Sequence, residues 1–149
     1  MPKASIKRLI ECKKINLINL VLDIEKYPEF IPFCYDAKIF ERIEKKNSLN
    51  IVADLTIGKG PFKDTYKSDV LFNKIEDSIH VKNIDGPLNH LSNNWFFKEQ
   101  NNVTEVMFDI NFEIKNKFLN TIMEASFKFG LEKIADAFQD RAENLFNKS

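Results

Sequence analysis

The segment Val103–Ile114, VTEVMFDINFEI, constrains this chain more than any other stretch of similar length. Val106, Phe108, Ile110, Phe112 and Ile114 alternate with Glu105, Asp109, Asn111 and Glu113. That period of two is a strand with one dry face and one wet face. Such strands belong to an antiparallel sheet, and the dry face needs a cover. The residues that follow supply one. Phe127, Leu131, Ile134, Phe138, Ala142 and Leu145 recur at spacings of three and four, and Leu119, Ile122 and Met123 extend the same side. Glu132, Lys133, Asp136, Asp140 and Glu143 fill the other side. Phe118–Phe146 therefore reads as a long amphipathic helix. Gly130 interrupts it at a cost of about 1 kcal/mol, and is expected to let the helix bend or approach the sheet closely.

The rest of the chain fits the same plan. Residues 3–11 read as a first strand with Ile6 and Ile10 on one face. Leu17, Leu20, Val21 and Ile24 then mark one face of a short helix. Pro28 is expected to end that helix and to open a second helical turn, which Pro32 stops. In LNIVADLTI, Leu49, Ile51, Ala53, Leu55 and Ile57 share one face. YDAKIFERI, YKSDVLF, SIHVKNI and LSNNWFF are further strands. The turns between them fall at Lys46-Asn47-Ser48, Gly58-Lys59-Gly60-Pro61, Asp85-Gly86-Pro87 and Gln100-Asn101-Asn102. The order is strand, two short helices, about six strands, long helix. It describes a bent antiparallel sheet wrapped around the C-terminal helix, in one domain spanning residues 1–149.

Several chemistries lack their residues. No run approaches the roughly 20 apolar residues of a membrane span, and the N-terminus has no apolar core of a secretory signal. Cys12 and Cys34 form no C-x-x-C pair, and with two histidines they make no convincing zinc set. Free thiols in a reducing cytoplasm are the expectation, with a Cys12–Cys34 disulfide as the lesser alternative. Lys and Arg total 22 and Asp and Glu total 22, without the basic excess of a DNA binder. There is no glycine-rich phosphate loop and no G-x-S-x-G. His80 and His90 read as surface or satisfied histidines. Asp23, Glu25 and Glu29 read as a solvated helix end rather than a carboxylate pair.

Phenylalanine supplies 14 residues of a chain with three tyrosines and one tryptophan. Phe has no polar handle, so the interior is strongly apolar. Leu55, Tyr66, Val70, Trp95, Phe97, Phe108, Phe112, Phe127 and Phe138 are large dry-face residues. They either close the interior or line a ligand cavity; the residues leave both open.

Four motifs carry a resemblance. LDIEKYPEFIPFC resembles a signature in which an acidic helix end precedes Tyr-Pro-x-Phe-hydrophobic-Pro-aromatic. DGPLNHLSNNW is similar to a Gly-Pro-Phe turn followed by Leu-x-Asn-x-Trp-x-Phe. FDINFEIKNKFLNTI and AFQDRAENLF resemble the last strand and the C-terminal helix of the same family. From about Ile6 to Phe146 the chain resembles the coenzyme Q-binding protein family, also called the ribosome-association toxin or polyketide cyclase/dehydrase family. Phe33, Leu88 and Lys59 depart from it, standing where Trp, Phe and an apolar residue are usual.

The resemblance implies an α+β helix-grip fold of the START/Bet v 1-like kind. It implies non-enzymatic binding of ubiquinone or a related polyprenyl lipid, with no required cofactor, no metal and no catalytic residue. Tyr27, Phe30 and Phe33 become rim candidates, with access where their segment meets a sheet turn. Leu131 joins the dry-face residues as a cavity candidate. The implied partners are the lipid, a transient membrane contact and, alternatively, the large ribosomal subunit, but not DNA. The implied location is cytoplasmic, peripheral to the inner membrane, or the matrix side in a mitochondrion. An aromatic polyketide cyclase is a distant third; it would need Tyr66, Asn93 and His80 to converge.

Overall fold

The computed structural model describes residues 3–59 and 61–146, without the side chains at 59, 62, 119, 122–123 and 125–128. Strand β1 (Lys3–Ile10) leads into helix α1 (Lys14–Leu22) and a 3-10 helix (Ile24–Glu29). Six strands follow: β2 (Cys34–Glu44), β3 (Ser48–Lys59), β4 (Phe62–Asn73), β5 (Ser78–Asp85), β6 (Leu88–Gln100) and β7 (Val103–Ile114). Helix α2 (Lys117–Phe146) closes the chain. The strands form one antiparallel sheet in the order β1-β7-β6-β5-β4-β3-β2.

Bulges give the sheet its curve. Register shifts fall between Cys34 and Asp36, between Ile39 and Glu41, between Lys67 and Ser68, and between Leu88 and His90. Each bulge bends its strand and sharpens the local twist. The Ile39 bulge lies on edge strand β2, where the Ile39 amide donates to Glu25 Oε2 at 2.9 Å. The carboxylate thus satisfies an edge donor and ties the 3-10 helix to the sheet.

The expected strands and long helix are present. One detail of the short helices differs. Helix α1 ends at Leu22, six residues before Pro28, and Pro28 lies inside the 3-10 helix rather than at its first position. Asp23 ends α1 by leaving helical geometry (φ −83°, ψ 65°), while its amide still reaches Asn19 O and Leu20 O. Pro28 fits where it sits because its fixed φ suits a helical turn. The Gln100–Val103 hairpin has φ of 54° at Asn101 and 64° at Asn102, a two-residue turn whose hand matches the strand twist.

The core lies on the inner face. Leu49, Ile51, Ala53, Val70, Phe72, Ile79, Trp95, Phe97, Val106 and Phe108 are buried there under α1 residues Leu17, Ile18 and Val21 and α2 residues Leu131, Phe138 and Ala142. The backbone of α2 lies against β1, β7 and α1. Two expected apolar positions fall outside the core. Ile57, near the end of β3, and Leu145, in the last turn of α2, are exposed because each lies past the elements that would cover it.

Candidate functional site

The segment from Tyr27 to Phe33 joins the helical side of the molecule to the sheet. Tyr27, Phe30 and Phe138 meet edge to face, with Phe138 centred 5.5 Å from Tyr27 and 5.4 Å from Phe30. The Tyr27 hydroxyl donates to the Val21 carbonyl, and burial pushes its phenol pKa far above the ordinary value. Phe30 carries the Arg141 guanidinium 5.0 Å above its ring. Arg141 also donates to Glu29 Oε1 at 2.9 Å.

Of the three carboxylates in this stretch, Glu25 caps β2, Glu29 pairs with Arg141 and Asp23 ends α1. Their roles are structural. The Arg141 hydrogen bond, with Lys26 adding to it, holds the Glu29 carboxyl below the usual glutamate range. A depressed folded pKa stabilises above the unfolded pKa and ceases to do so as pH falls through the folded value. Glu29→Gln will therefore lower the melting temperature slightly at pH 7. The difference from wild type will shrink as pH falls below the ordinary glutamate pKa and vanish below the lowered folded one, in melting curves taken across pH.

Phe33 takes a left-handed conformation (φ 69°), and its carbonyl accepts the Gly58 amide at 3.0 Å. The segment thus meets the β3–β4 turn, the junction expected for access. The Phe33 ring also faces α2: a Cβ built on Gly130 would find Phe33 Cε2 at 4.0 Å. That is ordinary contact, so Gly130 does not mark a forced close approach. Gly130→Ala will fit, and the helix propensity of alanine predicts a gain of about 1 kcal/mol in urea unfolding.

The candidate residues separate into two groups. Tyr27, Phe30, Val70, Trp95, Phe97, Phe108, Leu131 and Phe138 belong to or pack on the sealed core. Trp95 is the hub on the sheet side, with ring centroids 4.5 Å from Phe108, 5.2 Å from Phe138 and 6.2 Å from Phe97. The second group lies farther along the same inner face. Leu55 and Tyr66 stand opposite each other on β3 and β4, and with Val81, Asn83 and Ile110 they are only partly buried, with Leu55, Val81 and Ile110 packed against that core. Phe112 is buried opposite Leu91. The Phe127 side chain lies outside the described residues. The inner face is thus solid beneath α1 and keeps accessible apolar surface beyond it. Sequence reasoning singled out Leu55, Tyr66 and Phe112 and put Ile110 on the dry face of β7, but passed over Val81 and Asn83, for which the alternation of SIHVKNI carried the signal.

Both cysteines are free and buried, and desolvation pushes each thiol up to about 11, helped at Cys12 by Glu143 and Glu99. Thiols so placed are protonated and unreactive at neutral pH. His80 is exposed on the outer face and pairs with Asn94, so it does not converge with Tyr66 and Asn93. Among the described residues no cluster of His, Cys, Asp and Glu has the makings of a metal site. No helix among them is long and apolar enough to cross a membrane.

Clefts on the surface of the described residues include two beside the helices. One of about 450 Å³ runs between Phe30 and Pro32 and the α2 residues Lys133, Asp136, Ala137, Asp140, Arg141 and Asn144. The other, about 620 Å³, lies between α1 and the β2–β4 ends, where Leu49 and Phe72 sit among Arg42, Glu44, Lys74 and Asp77. The first opens beside the Tyr27–Phe33 segment.

Comparison with known proteins agrees with this architecture. The profile of the family described as polyketide cyclase/dehydrase and lipid transport matches residues 18–140. The chain is 32% identical over 137 residues to the mitochondrial coenzyme Q-binding protein COQ10 of Dictyostelium discoideum, covering 90% of this chain and 65% of that protein. It thus spans under two thirds of that relative's length. It is 28% identical over 141 residues to the ribosome association toxin RatA of Rickettsia prowazekii, covering 93% of this chain and 94% of that one. A START superfamily protein from Mycobacterium smegmatis shares the fold, with a TM-score of 0.77 at 18% identity over 96% of this chain and 98% of that chain.

Proposed function

The chain belongs to the polyketide cyclase/dehydrase and lipid transport family, and on that footing we propose that it binds ubiquinone or a related polyprenyl lipid between its sheet and α2 and carries it without a covalent step. The observation behind this reading is the inner face beyond α1, where Leu55, Tyr66, Val81 and Ile110 keep accessible surface on the side that faces inward. A polyprenyl tail supplies the matching need. At about 0.8 kcal/mol per buried CH2, each isoprenoid unit costs roughly 4 kcal/mol to expose to water. A long-tailed quinone leaves a bilayer only for an equivalent apolar surface. On this reading the protein works at a membrane surface, on the cytoplasmic or matrix side. The likeness to COQ10 supports the quinone as ligand. Purification from a quinone-producing host followed by native mass spectrometry tests it. A bound quinone, and a melting temperature that rises with added short-chain ubiquinone, are the expected results. A well-folded protein with neither overturns the reading.

A second reading is supported by the likeness to RatA and by one surface feature. On edge strand β2 the exposed Tyr35 and Phe40 lie under Lys63 at 3.9 Å and Lys67 at 4.1 Å. Exposed rings paired with cations are how proteins hold unstacked RNA bases. Salt-sensitive co-sedimentation with large ribosomal subunits, lost in Tyr35→Ala/Phe40→Ala, is the result that would favour it.

A further inference from the structure

Asp136, Ala137, Asp140, Arg141 and Asn144 recur along α2 at helical spacing, so one face of that helix forms a wall of the cleft of about 450 Å³. Phe30 and Pro32 form the other wall. The charged groups of this cleft are not all committed. Asp136 is neutralised by Arg8, whose Nη1 lies 2.6 Å from its Oδ1. Lys133 stands over the exposed Phe129 ring at 4.9 Å and has no carboxylate partner among the described residues. Asp140 has neither an ion pair nor a hydrogen bond among them. The cleft thus offers an unshared cation and an unshared anion, with Arg141 beside them.

The pairing of Arg141 is incomplete. Its Nη2 donates to Glu29 Oε1 at 2.9 Å, and its guanidinium sits 5.0 Å above the Phe30 ring. Its Nε is buried and has no acceptor among the described residues. Nε and Nη2 lie along one edge of the guanidinium, the edge that grips a carboxylate or phosphate through two parallel bonds. Glu29 fills half of that edge, and its Oε2 faces Lys26 Nζ at 3.5 Å instead. Leaving a buried donor without an acceptor is unfavourable. A ligand with two acceptor oxygens in the place of Glu29 would satisfy both N–H groups. Glu29 loses little in that exchange, since its side chain is half-exposed and keeps Lys26.

We propose that this cleft binds the head group of a zwitterionic membrane phospholipid of the phosphoethanolamine kind, its phosphate displacing Glu29 from the Nε–Nη2 edge of Arg141 and its ammonium facing Asp140. The inference rests on the lipid-carrier reading, which brings the protein to a membrane, and names the lipid chemistry that holds it there. A phosphodiester has two free oxygens for the two N–H groups, a match that the planar fork of arginine makes and the point charge of lysine does not. The unshared charges of the cleft have both signs, which suits a head group carrying both and disfavours a purely anionic one. Phe30 and Pro32 are apolar and suit the carbons next to the phosphate. The cleft also opens beside the Tyr27–Phe33 segment, the junction expected for access to the inner face.

The full chain is floated with phosphatidylcholine vesicles that carry added phosphatidylethanolamine, added phosphatidylglycerol or neither, and uptake of a short-chain ubiquinone from the same vesicles is measured alongside. Binding should be strongest to the ethanolamine vesicles, and the two halves of one ion pair should respond in opposite directions. Arg141→Lys keeps the charge but loses the fork, and should weaken that binding about three- to tenfold. Glu29→Gln removes the competitor for the fork, and should strengthen it about two- to fivefold, the worth of an exposed ion pair. Asp140→Asn should erase the preference for ethanolamine over glycerol head groups. Glu76→Gln removes the same charge as Glu29→Gln from the β4–β5 turn and should leave binding unchanged. Equal binding to the three vesicles, a preference for phosphatidylglycerol, weaker binding in Glu29→Gln, or an equal gain in Glu76→Gln overturns the site. Competition by soluble glycerophosphoethanolamine as strong as that of vesicles overturns the membrane as its source. Wild-type protein that takes up quinone but shows any of these results leaves the lipid-carrier reading intact. Wild-type protein that takes up no quinone overturns that reading, whichever vesicles it binds.

Discussion

Phe138→Ala will unfold at a urea concentration well below wild type, with a loss of roughly 3–5 kcal/mol. Phe138 is buried on α2 and meets three rings nearly at right angles: Tyr27 at 5.5 Å, Phe30 at 5.4 Å and Trp95 at 5.2 Å. Those rings come from the 3-10 helix, the loop after it and β6, so one side chain ties three separate parts of the chain together. The size of the loss depends on whether the neighbours can collapse into the space left behind. Here each is anchored elsewhere. Tyr27 is held through its hydroxyl to Val21, Phe30 lies under Arg141, and Trp95 is fixed by its indole N–H to Asn93. The cavity should therefore persist, which puts the loss in the upper part of that range. An unchanged dependence on urea would show that the native and unfolded states keep their compactness. Phe96→Ala is the control. Phe96 is 48% exposed on the outer face, and its loss should cost under about 1 kcal/mol. Equal losses at the two positions would show that the aromatic cluster does not hold the helices to the sheet.

The parts of this fold that can be read from sequence are those where one period runs unbroken. Alternation in β3 and β7 and the three-four spacing in α2 give element type, face and order. The short connections are less legible, because their signals are local and compete. Pro28 reads as a helix stop, but α1 ends earlier, at Asp23, a residue type with no unique stopping signal. The turn after β4 has neither Gly nor Pro. It is built by Asn73 Oδ1 accepting the amides of Ile75 and Glu76, with Asp77 in the left-handed region at φ 53°. The Glu29–Arg141 pair spans 112 positions, and no local pattern can join residues so far apart. The candidate site is the hardest case. Sealed Phe108 and partly open Ile110 are the same kind of residue two positions apart on β7, as sealed Ile51 and partly open Leu55 are four apart on β3. What separates them is how the helices pack over the inner face, and composition does not encode that packing.

Gly86→Ala tests the link between this turn and the candidate site, and its expected cost is roughly 3 kcal/mol from backbone strain and overlap together. Gly86 has φ 128°, a conformation that side chains other than glycine rarely adopt. Its added methyl would meet Tyr66 Cα and Cβ at 2.8 Å and the Thr65 carbonyl at 3.1 Å. Two of these contacts are main-chain atoms of an inner strand of the sheet, which cannot swing aside as a surface side chain can. Either the β5–β6 turn lifts or β4 is displaced at Tyr66. The two outcomes differ in their reach. A lifted turn lowers the melting temperature and spares ligand binding, because the phenol keeps its place. A displaced β4 moves Tyr66 on the inner face, and affinity for short-chain ubiquinone then falls. Tyr66 is paired with Leu55 within the sheet and precedes the Lys67–Asp85 pair, whereas Gly86 lies outside the ladder, between β5 and β6. The turn should therefore give way first. The expected result is a protein several degrees less stable whose affinity for short-chain ubiquinone, measured below its melting point, stays within about threefold of wild type. A larger loss of affinity would show instead that Gly86 is what keeps Tyr66 in register.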